Sequence, residues 1–332
     1  MQTDTRPPTS VFPDYIDPIS GVRFVSCEGG NALISRERTV PIVGDIPRFV
    51  SSENYAASFG HQWLTFSRTQ LDSVSGHPIT EARLFRALKD GPAWLRGKLV
   101  LEAGCGAGRF TEVLLKYGAR VDSIDLSRAV EANKANCPTG YDHRVTQADI
   151  CALPFPRRSY DLVLCMGVVQ HTPDSGRTIR TLASYAKDGG RLVFDHYVGG
   201  ILRGANRRFG ARLVRPRVLR LPLEQRLPYV ERLVARWYPI HRAVGSSRLA
   251  SHLLRTISPV TTYHDTLPLT EAQHREWSIL DTHDSLTDVY KATLTRTEVE
   301  CLVRSLQVGE CHCHLGDNGV VCDCHVAAPK NA

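Results

Sequence analysis

The residues best placed to do chemistry form a turn, Leu101-Glu102-Ala103-Gly104-Cys105-Gly106-Ala107-Gly108, between an apolar run (Lys98–Leu101) and a helix-like stretch from Phe110. Glycine lets backbone approach a ligand closely, and the helix N-terminus that follows offers unpaired N–H groups. A strand, glycine turn and helix in that order suit a nucleotide-like ligand. Spacing narrows the choice. A dinucleotide fingerprint needs Gly or Ala five places after its first glycine. That place is Arg109 counted from Gly104 and Thr111 counted from Gly106, so a dinucleotide such as NAD fits poorly. Asp125 closes the next strand-like run, Val121–Ile124, at about the distance where a carboxylate meets ribose hydroxyls. Asp149-Ile150 closes the third run.

The pattern Glu102-x-Gly104-x-Gly106-x-Gly108 resembles motif I of the class I S-adenosylmethionine-dependent methyltransferases. Ala148–Phe155, Ser159–Val163 and Gly167–Pro173 look like the ubiquinone/menaquinone-biosynthesis (type 11) branch. The resemblance covers Leu99 to about Tyr197. It implies S-adenosyl-L-methionine as cofactor. It assigns its binding to Glu102, Gly104, Cys105, Gly106, Gly108, Arg109 and Phe110 around the turn, and to Asp125, Leu126 and Ser127 after the second strand. Asp149 would face the adenine amine with Ile150 packed on the ring. Met166, Gly167, Val168 and His171 would complete the wall, within a stretch Cys165–His171 that lines the pocket.

Methyl transfer from a sulfonium is an in-line displacement, to which a protein contributes mainly alignment. A base is needed only where the acceptor holds a proton, and histidine suits this near neutral pH. The candidates are His171, His196 and His283, with Tyr197 and Asp281 as helpers. Tyr197, Arg203, Arg207 and Asp281 are the acceptor-side candidates. Arginines from Arg203 to Arg220 can clamp an anionic acceptor bidentately or simply form a solvated helical face. Aromatics at Tyr55, Phe59, Trp63 and Phe66 can meet a sulfonium by cation–π contact or form a core stripe. The function expected is methyl transfer to a small-molecule acceptor. The alternatives are an RNA or protein methyltransferase guided by the basic segment, and a non-catalytic cofactor-sensing or metal-binding regulator. An oxidoreductase is disfavoured by Arg109. With no recognised RNA module, nucleic acid is not the expected partner; the oligomeric state is open.

These residues need a frame. Strand-like runs at Leu99–Leu101, Val121–Ile124, Arg144–Gln147, Tyr160–Cys165 and Arg191–Phe194 alternate with helix-like stretches at Phe110–Lys116, Ala129–Asn136 and Thr178–Tyr185. That alternation predicts an α/β fold: a Rossmann-like, mostly parallel seven-stranded sheet with helices on both faces. Gly118 ends the first of those helices and Gly189-Gly190 is read as a turn. Ile79–Leu88 is helical with Thr80 as cap. Residues 1–50 read as a β-rich piece, with strands at Val22–Val25 and Val40–Val43 around Gly29-Gly30; they resemble a degenerate zinc-ribbon-like segment that has lost its metal knuckles, because Cys27 stands alone. Residues 51–96 are N-terminal helices, 97–197 the donor-binding core, 198–277 a basic helical cap broken by prolines, and 278–332 the return to the core, with a helix over Thr297–Leu306. His283 stands where an aromatic is more usual in the resembled family.

The chain of 332 residues carries a net charge of +7 and ten cysteines. It has no signal-like N-terminus and no apolar run that spans a bilayer, so a cytoplasmic location with reduced thiols is expected. Four cysteines crowd a predicted hairpin, Glu310–His314 and Val320–Val326 around Gly316–Gly319. Alternate residues of a strand share a face, so Cys311, Cys313, Cys322 and Cys324 can meet. No metal is expected elsewhere. At this hairpin the four thiols can hold a structural zinc or pack as small hydrophobes.

Overall fold

The computed structural model describes residues 12–51, 53–137, 140–199, 209–244, 248–264, 266–306 and 309–327. The first part is an antiparallel sheet of β1 (Val25–Ser26), β2 (Ala32–Ile34), β3 (Thr39–Val43) and β4 (Ile46–Pro47), paired in that order. Gly29-Gly30 makes its first turn, and Phe24, Leu33 and Val40 pack together as its core. Polar contacts brace this segment. The buried Asp17 accepts from the amides of Ile19 and Ser20 and pairs with Arg38 at 3.1 Å, while Cys27 donates to Asn31.

The remaining elements are α1 (Ala57–Thr65), α2 (Asp72–Ser75), α3 (Ile79–Leu88), β5 (Leu99–Ala103), α4 (Arg109–Lys116), β6 (Arg120–Asp125), α5 (Ala129–Asn136), β7 (His143–Gln147), β8 (Tyr160–Cys165), α6 (Ser175–Ala183), β9 (Ala186–His196), α7 (Phe209–Leu219), α8 (Leu223–Val244), α9 (Arg248–Ile257), α10 (Glu271–Thr287), α11 (Arg296–Ser305), β10 (Cys311–Gly316) and β11 (Gly319–His325). Seven strands form one sheet in the order β10-β11-β9-β8-β5-β6-β7. Strands β5 to β9 run parallel, and only β11 is antiparallel to its neighbours. β5 is buried along its whole length, as a central parallel strand covered on both faces must be. Leu101, Tyr160 and Phe194 pack on one face with Val299 and Val303 of α11. Val100, Leu162 and Val193 pack on the other with Leu84 of α3 and Leu114 of α4.

Several local expectations need correction. Gly189-Gly190 does not end an element: β9 begins at Ala186 and runs through both glycines. A Cβ at Gly190 would stand 2.9 Å from the carbonyl oxygens of Tyr160 and Lys187, so glycine permits the strand to continue past an irregular register beside Tyr160. Thr80 does not cap α3. Its amide donates to Asp72 Oδ1 and its hydroxyl to the Gln70 carbonyl. Only some of the prolines break the cap: Pro222 separates α7 from α8, and Pro259 and Pro268 lie between α9 and α10, whereas Pro216 lies inside α7 and Pro228 and Pro239 lie inside α8. α10 starts from a capping box at Thr270 and Gln273 and runs straight through Trp277. α6 starts earlier than expected because Asp174 accepts from the Arg177 amide. Among the described residues, no helix is long and apolar enough to cross a membrane.

One buried ion pair docks the first sheet on the second. Arg144 of β7 donates to Asp122 of β6 (Nη2–Oδ2 2.8 Å) and to the Pro13 carbonyl. Its guanidinium lies 4.3 Å from the Tyr15 ring centroid and 5.1 Å from that of Phe155. Asp122 also accepts from Tyr160. Removing one partner of such a pair strands the other charge. Asp122→Ala should therefore lower stability by about 3 kcal/mol, the low end for a buried pair because Arg144 keeps some contact with water. Urea unfolding checks this, and a loss below ~1 kcal/mol would show the pair to be dispensable.

Candidate active site

The chain builds outward from β5, first to β6 and β7 on one side and then to β8 and β9 on the other. Neighbouring β5 and β8 therefore leave in opposite directions, and their carboxyl ends form a crevice where open α/β sheets bind ligands. The glycine turn leaves β5 at this crevice. The amides of Gly104 and Cys105 both donate to the Ile124 carbonyl, at 2.8 and 2.9 Å, which fastens the turn to β6. Gly104 has φ +81°, and a Cβ there would stand 2.7 Å from Val168 Cγ1. A Cβ on Gly106 would come within 3.2 Å of the Trp63 indole. Side chains in place of these glycines would fill the crevice mouth.

Asp125, at the end of β6, accepts from the Gly106 amide on Oδ2 (3.0 Å) and from the Ser127 amide and hydroxyl on Oδ1 (2.8 and 2.7 Å). Burial pushes its carboxyl up, against those hydrogen bonds. About four acceptor positions belong to a carboxylate, which leaves room for a hydroxyl donor. Asp149 accepts from the Cys151 amide on one oxygen only. Both aspartates line one large cavity of about 1280 Å³.

Gly104, Cys105, Gly106, Arg109, Phe110, Leu126, Ile150, Met166, Gly167, Val168 and His171 line the same cavity. Three expected binding residues do not. Glu102 is 3 % exposed, accepts from Thr111 and Ser123 beneath the turn, and is pushed up to about 7 by burial; it braces the turn. Gly108 takes the left-handed residue before α4 and packs on Asn133. Ser127 acts on Asp125 rather than on the cavity. Cys165, at the start of the expected lining stretch, is fully buried. Tyr55, Phe59 and Trp63 line the cavity, whereas Phe66 packs with Leu227 and Leu280 in a core cluster.

The three histidines part ways. His196 is fully buried and is held by Ser175 Oγ (3.0 Å) and the Tyr197 carbonyl (2.9 Å). His283 is fully buried against Gln62 Oε1 (2.6 Å), and burial lowers it to about 4. Only His171 lines the cavity. Its Nδ1 meets the Tyr290 carbonyl at 3.3 Å and Asp288 Oδ2 at 3.2 Å. The carbonyl has the better hydrogen-bond alignment, and Asp288 contributes its charge. Both are acceptors, so the proton of neutral His171 sits on Nδ1 and the Nε2 lone pair is left over. Phe59 and Tyr197 flank the ring edge to face, each at 5.3 Å. Burial favours neutral His171, but the contact with Asp288 and the charges of Asp284 and Asp288 outweigh it, so the net shift is upward.

Asp281, Asp284 and Asp288 fall three and four residues apart, on and just after α10. Asp281 and Asp284 line the cavity with Tyr197; Asp281 also accepts from Gln70 and Tyr263. Asp288 is buried under Arg215 and Lys291. The spacing Asp281-x-x-Asp284-x-x-x-Asp288 was the available signal for this cluster. Arg83, Arg86 and Asn318 were not signalled. Arg83 and Asn318 meet on the buried Asp195, which also accepts from the Gly167 amide, and Arg86 pairs with Asp317. Arg203 and Arg207 lie outside the described residues. The expectation of reduced thiols fails at the terminal hairpin, where Cys311–Cys324 and Cys313–Cys322 are disulfides. The other six cysteines are free.

Residues 101–194 match the family model described as a methyltransferase domain. A ubiquinone biosynthesis O-methyltransferase of Coxiella burnetii is 34% identical over 106 residues, 30% of this chain and 44% of the relative. One from Nitrosospira multiformis is 35% identical over 122 residues, 36% of this chain and 50% of the relative. The chain thus spans half or less of the length of these relatives. Among solved structures, an S-adenosylmethionine-dependent methyltransferase of Mesorhizobium loti is 26% identical over 36% of this chain and 54% of its own, with a TM-score of 0.32. A Burkholderia thailandensis 1,6-didemethyltoxoflavin-N1-methyltransferase with S-adenosylhomocysteine bound is 14% identical over 89% and 98%, with a TM-score of 0.43.

Electrostatics separate His171 and His283 by titration. His171 should keep its proton above pH 6.5, the ordinary histidine value, whereas His283 should stay neutral down to about pH 4. Histidine NMR with single-site variants for assignment checks both. Titration of His171 below that of a solvated histidine would contradict the role given to Asp288.

Proposed function

We propose that the chain is an S-adenosylmethionine-dependent methyltransferase acting on a small molecule that presents a hydroxyl group. The observation that carries this reading is the convergence, on one cavity, of the glycine turn, the acids ending β6 and β7, and His171. Asp125 would hold the ribose hydroxyls. Asp149 and Ile150 would meet the adenine, and Gly104 and Gly106 would admit the donor's backbone-facing side. When bound, the donor supplies a methyl group already activated on a sulfonium. Tyr55, Phe59 and Trp63 place aromatic faces and edges on that wall, where a cation is attracted.

The chain's own contribution is to place the acceptor and take its proton. His171 is the proposed base. Asp288 stabilises the imidazolium that would form, and Tyr290 orients the ring. Arg215 and Lys291 keep Asp288 ionised; despite burial, its carboxyl is held below the usual range by His171 and these cations. His196 and His283 are proposed as positioning and packing residues. The curated relatives are named as O-methyltransferases, which supports a hydroxyl acceptor. An anionic acceptor has less support, because Arg83, Arg86 and Arg215 on the cavity wall already face Asp195, Asp317 and Asp288. That idea would rest on Arg203 and Arg207, together with Arg109 and Arg212 on the cavity wall; Arg109 donates to Thr80 and Gln70 rather than to a carboxylate.

Calorimetric titration should show S-adenosylmethionine binding and no NAD binding. Asp125→Ala should weaken donor affinity about 10–100-fold, a loss of ~1.4–2.8 kcal/mol; unchanged affinity would remove Asp125 from the ribose site. Methyl transfer can be followed with labelled donor against a panel of phenols and catechols. The rate should rise with pH through the titration of His171, above 6.5. Asp288→Asn destabilises the imidazolium, so the acid limb should move to lower pH. His171→Asn should cost about 10²–10⁴-fold. A profile unchanged in both variants would rule out His171 as base.

A further inference from the structure

The terminal hairpin carries a feature that methyl transfer does not use. Cys311 pairs with Cys324 and Cys313 with Cys322 across β10 and β11, with Cα separations of 4.0 and 4.3 Å. These are the close cross-strand positions of an antiparallel pair, so four sulfurs stand on one face. The sulfurs of Cys311 and Cys313 are 4.0 Å apart, and those of Cys311, Cys313 and Cys322 all lie within 4.8 Å of one another. A tetrahedral site with metal–sulfur bonds of about 2.3 Å has edges of roughly 3.8 Å. Cys322 and Cys324 are fully buried, and Cys313 is 8 % exposed. Val299 and Val303 of α11 pack in the same cluster, which closes the face from water as structural metal sites require.

Stapling alone accounts poorly for four cysteines here. The bridges span 13 and 9 residues, and the shorter is nested inside the longer. A second link within a loop already closed removes little further chain entropy. The six remaining cysteines are free thiols. Arg296 donates to the Cys313 carbonyl at 3.0 Å, which sets a guanidinium beside the cluster, where a tetrathiolate site would carry net negative charge.

We propose that the reduced hairpin is a metal site, taking one tetrahedral divalent d10 cation of the zinc class through Cys311, Cys313, Cys322 and Cys324. The disulfide and metal-bound forms exclude each other. Two equivalents of a dithiol reduce the two bridges and are themselves oxidised to disulfides. The four thiols so released then bind the cation and lose four protons to solvent. The turn of the same hairpin, Gly316–Gly319, lines the large cavity, and its Asn318 holds Asp195. The metal would therefore anchor a wall of that cavity. This inference does not depend on the proposed activity.

The test uses the full chain reduced anaerobically with dithiothreitol and freed of metal. Titration with Co²⁺ should give one equivalent bound per chain with thiolate-to-cobalt charge-transfer absorption, bleached by one equivalent of Zn²⁺. Cys27→Ser and Cys301→Ser should leave this unchanged, and Cys313→Ser with Cys322→Ser should abolish it. Alkylation mapped by mass spectrometry on the unmutated chain gives a second reading: Zn²⁺ should protect these four cysteines. Absence of the charge-transfer band in reduced chain that is folded by circular dichroism would overturn the proposal. So would a band that survives loss of Cys313 and Cys322, or alkylation of the four unaffected by Zn²⁺.

Discussion

The contact between the turn after β5 and the turn after β8 sets the rest of the molecule. Gly104 lies against Val168 so closely that any side chain would overlap it, and both turns open one cavity. Close approach requires a left-handed glycine on a strand that is immobile, and β5 meets that need by being buried on both faces. Glu102 and Thr111 brace the turn from below, and the Ile124 carbonyl ties it to β6. Asp125 then closes its far side through the Gly106 amide. The crevice is thus shaped by backbone, with few side chains able to deform it.

Charge is handled differently on the opposite wall. α10 and the residues after it bring three aspartates near His171, and a cluster of acids in a partly buried place would be costly without cations. Arg215 and Lys291 meet Asp288, and Asp281 is held by neutral donors. The result is a histidine biased toward holding a proton, beside an Asp288 stabilised by cations, an Asp281 stabilised by neutral donors, and an Asp284 whose carboxyl burial pushes up. Arg83, Asn318 and the Gly167 amide converge on Asp195 in the same way, linking α3, the terminal hairpin and the turn after β8. The cavity walls are therefore held by polar contacts between distant parts of the chain, and the cap contributes through packing of Ala211, Val230 and Leu286.

Much of the central sheet was legible because its strands are short apolar runs ended by glycine or aspartate. Those signals are local, and they placed β5 to β8 within two residues at each end. The first part of the long β9 was missed because Gly189-Gly190 mimics a turn, although Arg191–Phe194 reads as strand; only the neighbouring Tyr160 backbone explains why glycine stands there. Glu102 was assigned to the ligand because its position in the motif says nothing about which way its side chain turns. Which of His171, His196 and His283 opens on the cavity also lay beyond the sequence. It depends on long-range partners, Gln62 for His283 and Asp288 for His171, that no spacing reveals. Pro222, Pro259 and Pro268 do mark helix ends, whereas Pro216, Pro228 and Pro239 misled because packing of α7 and α8 on α10 overrides their local preference.

The central claim is that the glycine turn and its neighbouring strand ends form the methyl-donor site. Hydrogen exchange followed by mass spectrometry, with and without S-adenosylhomocysteine, tests it most directly. Protection should concentrate at residues 104–110, 125–127, 149–151 and 166–171, which lie far apart in sequence and together in space. Protection elsewhere, or none in folded chain at saturating ligand, would contradict it.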